Sequence, residues 1–179
     1  LHHLYTYGHF QPVFRGGLQG GPTTGGMIYR GHTLPEAFRG RFLCGNFLGH
    51  TASSWNVQSQ ASSVAVKPNG FWLNANDTWF GPTDLCFGPD GAVYVSDFHD
   101  RRTAHPDPDA KWDRSNGRIY RLQGTGVASV RPVDVVSLPS AGLVKLLSHP
   151  NGWYADRARV EMFRRKDKSI VPGLKAMAR

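Results

Sequence analysis

Short β-branched or aromatic runs, closely spaced Gly and Pro, and a late change of hydrophobic period predict a mainly β chain with a short helical end. Gly (21) and Pro (12) make up almost a fifth of the 179 residues, a mix that favours strands and turns over a helical bundle. The strand-like runs fall in groups of about four with long loops between groups, the spacing of β-propeller blades. From Ser140 the apolar residues take a helical period. The expected architecture is therefore a partial β-propeller, its last two to three blades, over 1–139. The beginning of a HEAT-like helical repeat region follows over 140–179.

Residues 1–26 are rich in Gly and His and have no period, which predicts extended loop. GMIYRG (26–31) is the first strand, and TLPEAFRG turns at Pro35. GRFLCGNFLG (40–49) and TASSWNVQ (51–58) read as two strands joined by a tight Gly-His turn. SSVAVKP (62–68) alternates, and Pro68-Asn69-Gly70 carries the chemistry of a turn that ends it. FWLNAND (71–77) leads into the most patterned stretch, FGPTDLCFGPDGAVYVSDFHD (80–100). There TDLCF and AVYVSDF are strands around a Gly-Pro-Asp-Gly turn. Proline presets φ at its first corner and the last glycine takes a positive φ. A polar loop follows, GRIYRL resumes the strand pattern, and VRPVDVVSL (130–138) is the last expected strand.

Leu143, Leu146 and Leu147 then form one helical face, which His149-Pro150-Asn151-Gly152 breaks. A second helix is expected over 153–166, with Trp153, Ala158, Val160, Met162 and Phe163 among Arg and Asp. Ser169 is the expected cap of a third, with Pro172 in its first turn.

The net charge of +8 invites a nucleic-acid reading, but its distribution opposes it. From His149 onward, eight Lys/Arg against three Asp/Glu place about +5 on the helical end, as a solvated basic face would. With no RNA-binding signature and no paired-Cys finger, no nucleic-acid partner is expected. Cys44 and Cys86 stand apart, without CxxC or CxxCH. Each lies in an apolar run, where a buried thiol packs as a small hydrophobe, and a disulfide stays open if their strands are neighbours. No apolar run reaches about 18 residues, so no spanning helix is expected. The chain starts at Leu1 without a recognisable signal peptide, which suits a fragment or a processed form.

Asp84, Asp97, His99 and Asp100 surround one hairpin. Side chains at a strand end can converge on a channel and offer oxygens to Ca²⁺; equally, Asp84 can serve turn amides and Asp97 can cap a loop. His105, Asp107, Asp109, Trp112, Asp113, Asn116 and Arg118 belong to the long polar loop. That loop can bind a cation or a sugar, or order itself through Asx-turns and an Arg118 ion pair. The candidate cofactor contacts are Asp84, Asp97 and His99, and the candidate metal ligands are Asp97, Asp100 and His105. His2, His3 and His9 crowd the start without a nearby carboxylate. No serine-hydrolase elbow, phosphate loop or zincin motif occurs, and no catalytic residue is assigned.

The succession GGMIYRG, LPEAFRGRFLCGN, WFGPTDLCFGPDGAVYVSDFHD, HPDPDAKWDRSNGRIYRL and LLSHPNGWYADRARVEMFRRKD resembles the membrane-bound dehydrogenase family, from about Gly25 to Arg179. These are large secreted bacterial proteins with a propeller similar to glucose/sorbosone dehydrogenases, then HEAT-like repeats and often a haem c domain. The resemblance implies a periplasmic or extracellular, membrane-associated protein that oxidises a sugar or alcohol. It implies pyrroloquinoline quinone and Ca²⁺ as cofactors, and electrons passed to a haem c domain of the same parent protein, outside this chain. The catalytic base of such propellers sits on an early blade, upstream of Leu1. Their quinone-binding arginines precede the aspartate of the penultimate hairpin, where this chain has Phe80-Gly81-Pro82-Thr83-Asp84 and no arginine. The alternative expectation is a non-catalytic propeller and HEAT module that binds a polysaccharide or a protein.

Overall fold

The structure, a computed structural model, describes residues 23–100, 115–127 and 131–178. The described part is mainly β, with seven strands in two antiparallel sheets and three short α-helices. Neither sheet closes on itself, and no barrel or propeller ring forms among the described residues. The chain divides into two compact units. One holds 23–29, 40–86, 94–100 and 115–122 of the described residues, and the other holds 30–39, 87–93, 123–127 and 131–178.

In the first unit, β1 (Thr23–Ile28), β2 (Phe42–Asn46), β3 (Thr51–Gln60) and β4 (Ser63–Asn74) pair in sequence order as an antiparallel meander. Leu43, Cys44, Ala52 and Trp55 are buried on β2 and β3. The expected break at Pro68-Asn69-Gly70 does not occur, since β4 runs through it. Trp55 pairs with Pro68 and Ser53 with Phe71, so two steps on β3 face three on β4. The extra residue makes a bulge, and Gly70 takes the positive φ of +91° there. Turn chemistry has been absorbed into the ladder rather than reversing the chain.

The second sheet has the order β5 (Pro82–Phe87), β6 (Val93–Asp97) and β7 (Arg118–Leu122). Cys44 is buried as expected, whereas Cys86 is exposed, because it falls next to inward-facing Leu85 on β5. Both thiols are free.

The last expected strand is absent, since 131–139 form loop and turn. Asp134 Oδ1 accepts from Val136 N–H at 3.1 Å and Ser137 N–H at 3.4 Å, and this local bonding competes with a strand. Val135 instead joins the helical core with Leu143, Leu146, Tyr154 and Ala158. The helices are α1 (Ser140–Leu146), α2 (Gly152–Arg165) and α3 (Val171–Met177). Lys166 ends α2 in the left-handed conformation at φ +53°. Asp167, rather than Ser169, caps the short 3-10 turn before α3, and its Oδ1 accepts from Ser169 N–H at 2.9 Å. Ser169 N–H is thus the capped donor, and Ser169 lies inside that turn, one residue before Ile170, the N-cap of α3.

Candidate functional site

The stretch 80–100 contains two constructions of different character. Its turn half, in the second unit, closes as expected. Gly91 N–H donates to Gly88 O at 2.9 Å, Gly91 takes φ +80°, and Ala92 N–H reaches Asp90 Oδ1 at 3.1 Å. Asn151 grips this turn from the HPNGWYAD segment. Fully buried, it donates from Nδ2 to Gly88 O at 3.0 Å and Pro89 O at 3.1 Å. Its Oδ1 accepts from Trp153 N–H at 3.1 Å, capping α2. Thr33 Oγ1 donates to Gly91 O at 2.7 Å, so the carbonyls of Gly88, Pro89 and Gly91 each meet a side-chain donor.

The same helix start is held from a third side. Gly152 N–H donates to Arg30 O at 2.8 Å, and the Arg30 guanidinium pairs with Asp156. A Cβ on Gly152 would lie 2.8 Å from Arg30 Cβ, which explains the glycine. Nearby His32 is held below the ordinary imidazole value of 6.5 by burial, then by His149 and Arg39, with Asp90 acting in the opposite direction.

The tail half, in the first unit, is built differently. Val93, Val95 and Asp97 share the inward face of β6, so the period of two drives a carboxylate inward at the strand end. Asp97 Oδ1 accepts from Gly81 N–H at 2.9 Å and His99 N–H at 2.8 Å. These bonds, with Phe98 N–H to Gly81 O at 2.8 Å and Asp100 N–H to Trp79 O at 3.0 Å, hold His99 at φ +46°. A non-glycine residue keeps such a conformation only where its surroundings impose it.

Asp97 Oδ2 is buried and accepts no hydrogen bond. It lies 3.5 Å from His99 Nδ1, which also faces Asp77 Oδ2 at 3.9 Å and Arg118 Nη1 at 3.3 Å. A guanidinium only donates, so in its contact with Arg118 the His99 Nδ1 is the acceptor. Tyr120 hydroxyl, 3.3 Å from Arg118 Nη1, and then the carboxylates of Asp97 and Asp77 hold the guanidinium proton more firmly than usual. Trp79 packs against the His99 ring at 5.6 Å, and the Trp79 backbone N–H donates to Asp77 Oδ1 at 2.9 Å.

Of the expected cofactor contacts, Asp97 and His99 come together. Asp84 is exposed on β5, and its Oδ1 turns back on Leu85 N–H at 2.8 Å. Asp100 is buried beside His99 in sequence, while His105, Asp107, Asp109, Trp112, Asp113, His2, His3 and His9 lie outside the described residues. Among the described residues no group of three or more His, Cys, Asp or Glu is arranged to hold a metal ion. No described helix is long and apolar enough to cross a membrane. Arg118 meets the expectation of an acid partner in Asp77, at 4.0 Å. Asp77 and Trp79 were not expected at the site. Their signal was the Asp-x-Trp spacing before Phe80, in which an aspartate accepts from the amide two residues on.

Residues 17–126, more than half of the chain, match the family described as a domain of unknown function (DUF7133). No curated protein and no solved structure matches the chain.

Proposed function

The chain belongs to the DUF7133 family, and from its sheets and its Asp97–His99 centre we propose that it is a segment of a secreted, dehydrogenase-like β-propeller protein that oxidises a sugar or alcohol. Four strands meandering in sequence order make the topology of one blade, and β5–β7 supply most of another. The observation that carries the functional part is Asp97 Oδ2, a buried carboxylate oxygen without a donor. Buried polar atoms are nearly always bonded, so one that is not calls for a role. Beside it, Asp77 and Arg118 offer a hydroxyl group an acceptor and a donor, and Trp79 offers an apolar face. That is the chemistry a polyol presents to a protein.

The residues described do not by themselves fit the quinone. Residues 80–84 contain no arginine, and Arg118 is engaged with His99 and Tyr120. Ca²⁺ takes six to eight oxygens, of which Asp97 Oδ2 supplies one. In this proposal the remaining cofactor contacts and the haem c domain belong to other parts of the full-length protein. Here Asp97 and His99 act as positioning residues at the rim of the substrate site.

A non-catalytic binding module is the second reading. It is favoured by Val160 and Phe163 on α2, which are 60% and 82% exposed, as on a helical array that presents a surface. One experiment separates the two. The full-length protein is purified, and its visible spectrum and metal content are recorded with and without pyrroloquinoline quinone and Ca²⁺, before and after sugars are added. The proposal expects a chromophore bleached by sugar and a KM raised roughly ten-fold by Asp97→Asn, the loss of one charge-assisted hydrogen bond. No chromophore and no stoichiometric metal would leave the binding module.

A further inference from the structure

Helix α2 has two faces, and only one of them packs within its own unit. The inward positions hold Tyr154, Ala155, Ala158 and Glu161, all buried, with Met162 and Arg165 half-buried beside them. The outward positions repeat in heptads. With half-buried Trp153 as position a, Val160 is the next a and Phe163 the d that follows, and these two are 60% and 82% exposed. The e positions that flank this seam are Arg157 and Arg164, and the g positions are Arg159 and Lys166. Each of these flanking residues is basic and exposed. We propose that this face docks a partner helix, an amphipathic one whose apolar seam is flanked by Asp or Glu. Such a partner suits the binding module, yet the docking surface stands whether or not the β-part oxidises a sugar.

Residues seven apart on a helix lie nearly above one another, so a and d side chains make one seam and e and g its two borders. An apolar ring left as exposed as Phe163 gains by being covered. The borders carry more charge than the helix itself needs. Cations in the last turn complement the helix dipole, which accounts for Arg164 and Arg165. It does not account for Arg157 and Arg159, which stand in the middle of the helix. The Arg157 guanidinium lies 5.2 Å from the centre of the Trp153 ring, so it is held beside the seam. Arg159 Nη1 donates to Asp156 Oδ1 at 2.8 Å, and Asp156, which also pairs with Arg30, fills the remaining d position. A single polar residue in such a seam fixes the register of a helix pair at a cost in stability.

Charge chooses among the occupants. Two copies of α2 laid together would set cation against cation at every border position, whether parallel or antiparallel. A bilayer takes up a continuous apolar face, whereas Asp156 interrupts this one and would face anionic headgroups. A helix bordered by carboxylates meets each of the four cations with the opposite charge.

The test uses the full chain and a fluorescent synthetic helix with leucine at a and d and glutamate at e and g, its binding followed by anisotropy. The same helix with lysine in place of glutamate is the control. The acidic helix should bind saturably and less tightly at high salt, and the basic one at least about ten-fold more weakly. Phe163→Ser should weaken binding of the acidic helix about ten-fold. Arg157→Glu should weaken it about three-fold. Both variants should keep the native far-ultraviolet spectrum, since both side chains are exposed. No binding, equal binding of the two helices, or binding that Phe163→Ser leaves unchanged would overturn the proposal. So would attachment to phosphatidylserine and phosphatidylcholine vesicles that Phe163→Ser abolishes, which would make the occupant a bilayer. A dimer in sedimentation that the same variant dissociates would overturn it in favour of a second copy.

Discussion

The Gly88–Gly91 turn and the Asp97–His99 centre are neighbours in sequence, yet they are built on opposite principles. At the turn, an asparagine spends both amide hydrogens and its oxygen on backbone groups, so nothing polar on that side chain is left over. At the centre, an aspartate commits one oxygen to two amides and leaves the other buried without a donor. The first arrangement is that of a structural joint, and the second leaves one buried oxygen unmet, the feature on which the proposed site rests. A patterned motif is therefore not evidence of chemistry throughout its length; the satisfaction of each polar atom separates its parts.

The sharpest way to break this contrast is Asn151→Asp. The shape is kept, but both donors disappear and a buried carboxylate faces two carbonyl oxygens. A loss of about 3–5 kcal/mol is expected, read from urea denaturation. Gly152→Ala comes next. Gly→Ala within a helix ordinarily gains up to about 1 kcal/mol, but here the new methyl meets Arg30 Cβ at 2.8 Å. A loss of about 1–3 kcal/mol is expected instead.

Much of this was legible in the chain. The alternation of Val93, Val95 and Asp97, the Gly-Pro-Asp-Gly corner and the Leu143–Leu146 face follow from local periodicity, which a sequence displays directly. Sequence and structure differ where a local signal has two outcomes. Pro68-Asn69-Gly70 can reverse a chain or widen a ladder into a bulge, and only the pairing with β3 decides. Val133, Val135 and Val136 look like a strand until Asp134 bonds its own neighbours. Asn151 stands within a recognisable motif, but its partners at 88 and 89 lie more than sixty residues away. Asp77 and Trp79 are hidden for the same reason, because their meeting with His99 depends on a loop closure that no period announces.

A smaller effect concerns pH. The His32 imidazole is held below its ordinary 6.5 in the folded chain, so below 6.5 the unfolded chain binds more protons than the folded one. The stability this provides is fully present above 6.5 and is lost as pH falls through that value toward the lower folded one. Denaturation midpoints across this range should decline in the native chain, and His32→Gln should flatten the decline. The smallest effect leaves stability untouched. Burial pushes the Cys44 thiol up to about 11, whereas Cys86 is exposed although its thiol is also raised, by burial and then by Asp84. Alkylation of the folded protein at neutral pH, followed by peptide mapping, should label Cys86 well before Cys44.

The most direct test of the contrast pairs Asn151→Asp with its mirror, Asp97→Asn, in one set of urea denaturation curves. Asp97→Asn keeps the oxygen that Gly81 and His99 use and replaces only the one without a donor, removing a buried charge. Its stability should stay within about 1 kcal/mol of the native chain while Asn151→Asp falls well below it. Comparable losses in the two variants would contradict the account, since Asp97 would then be as much a structural joint as Asn151.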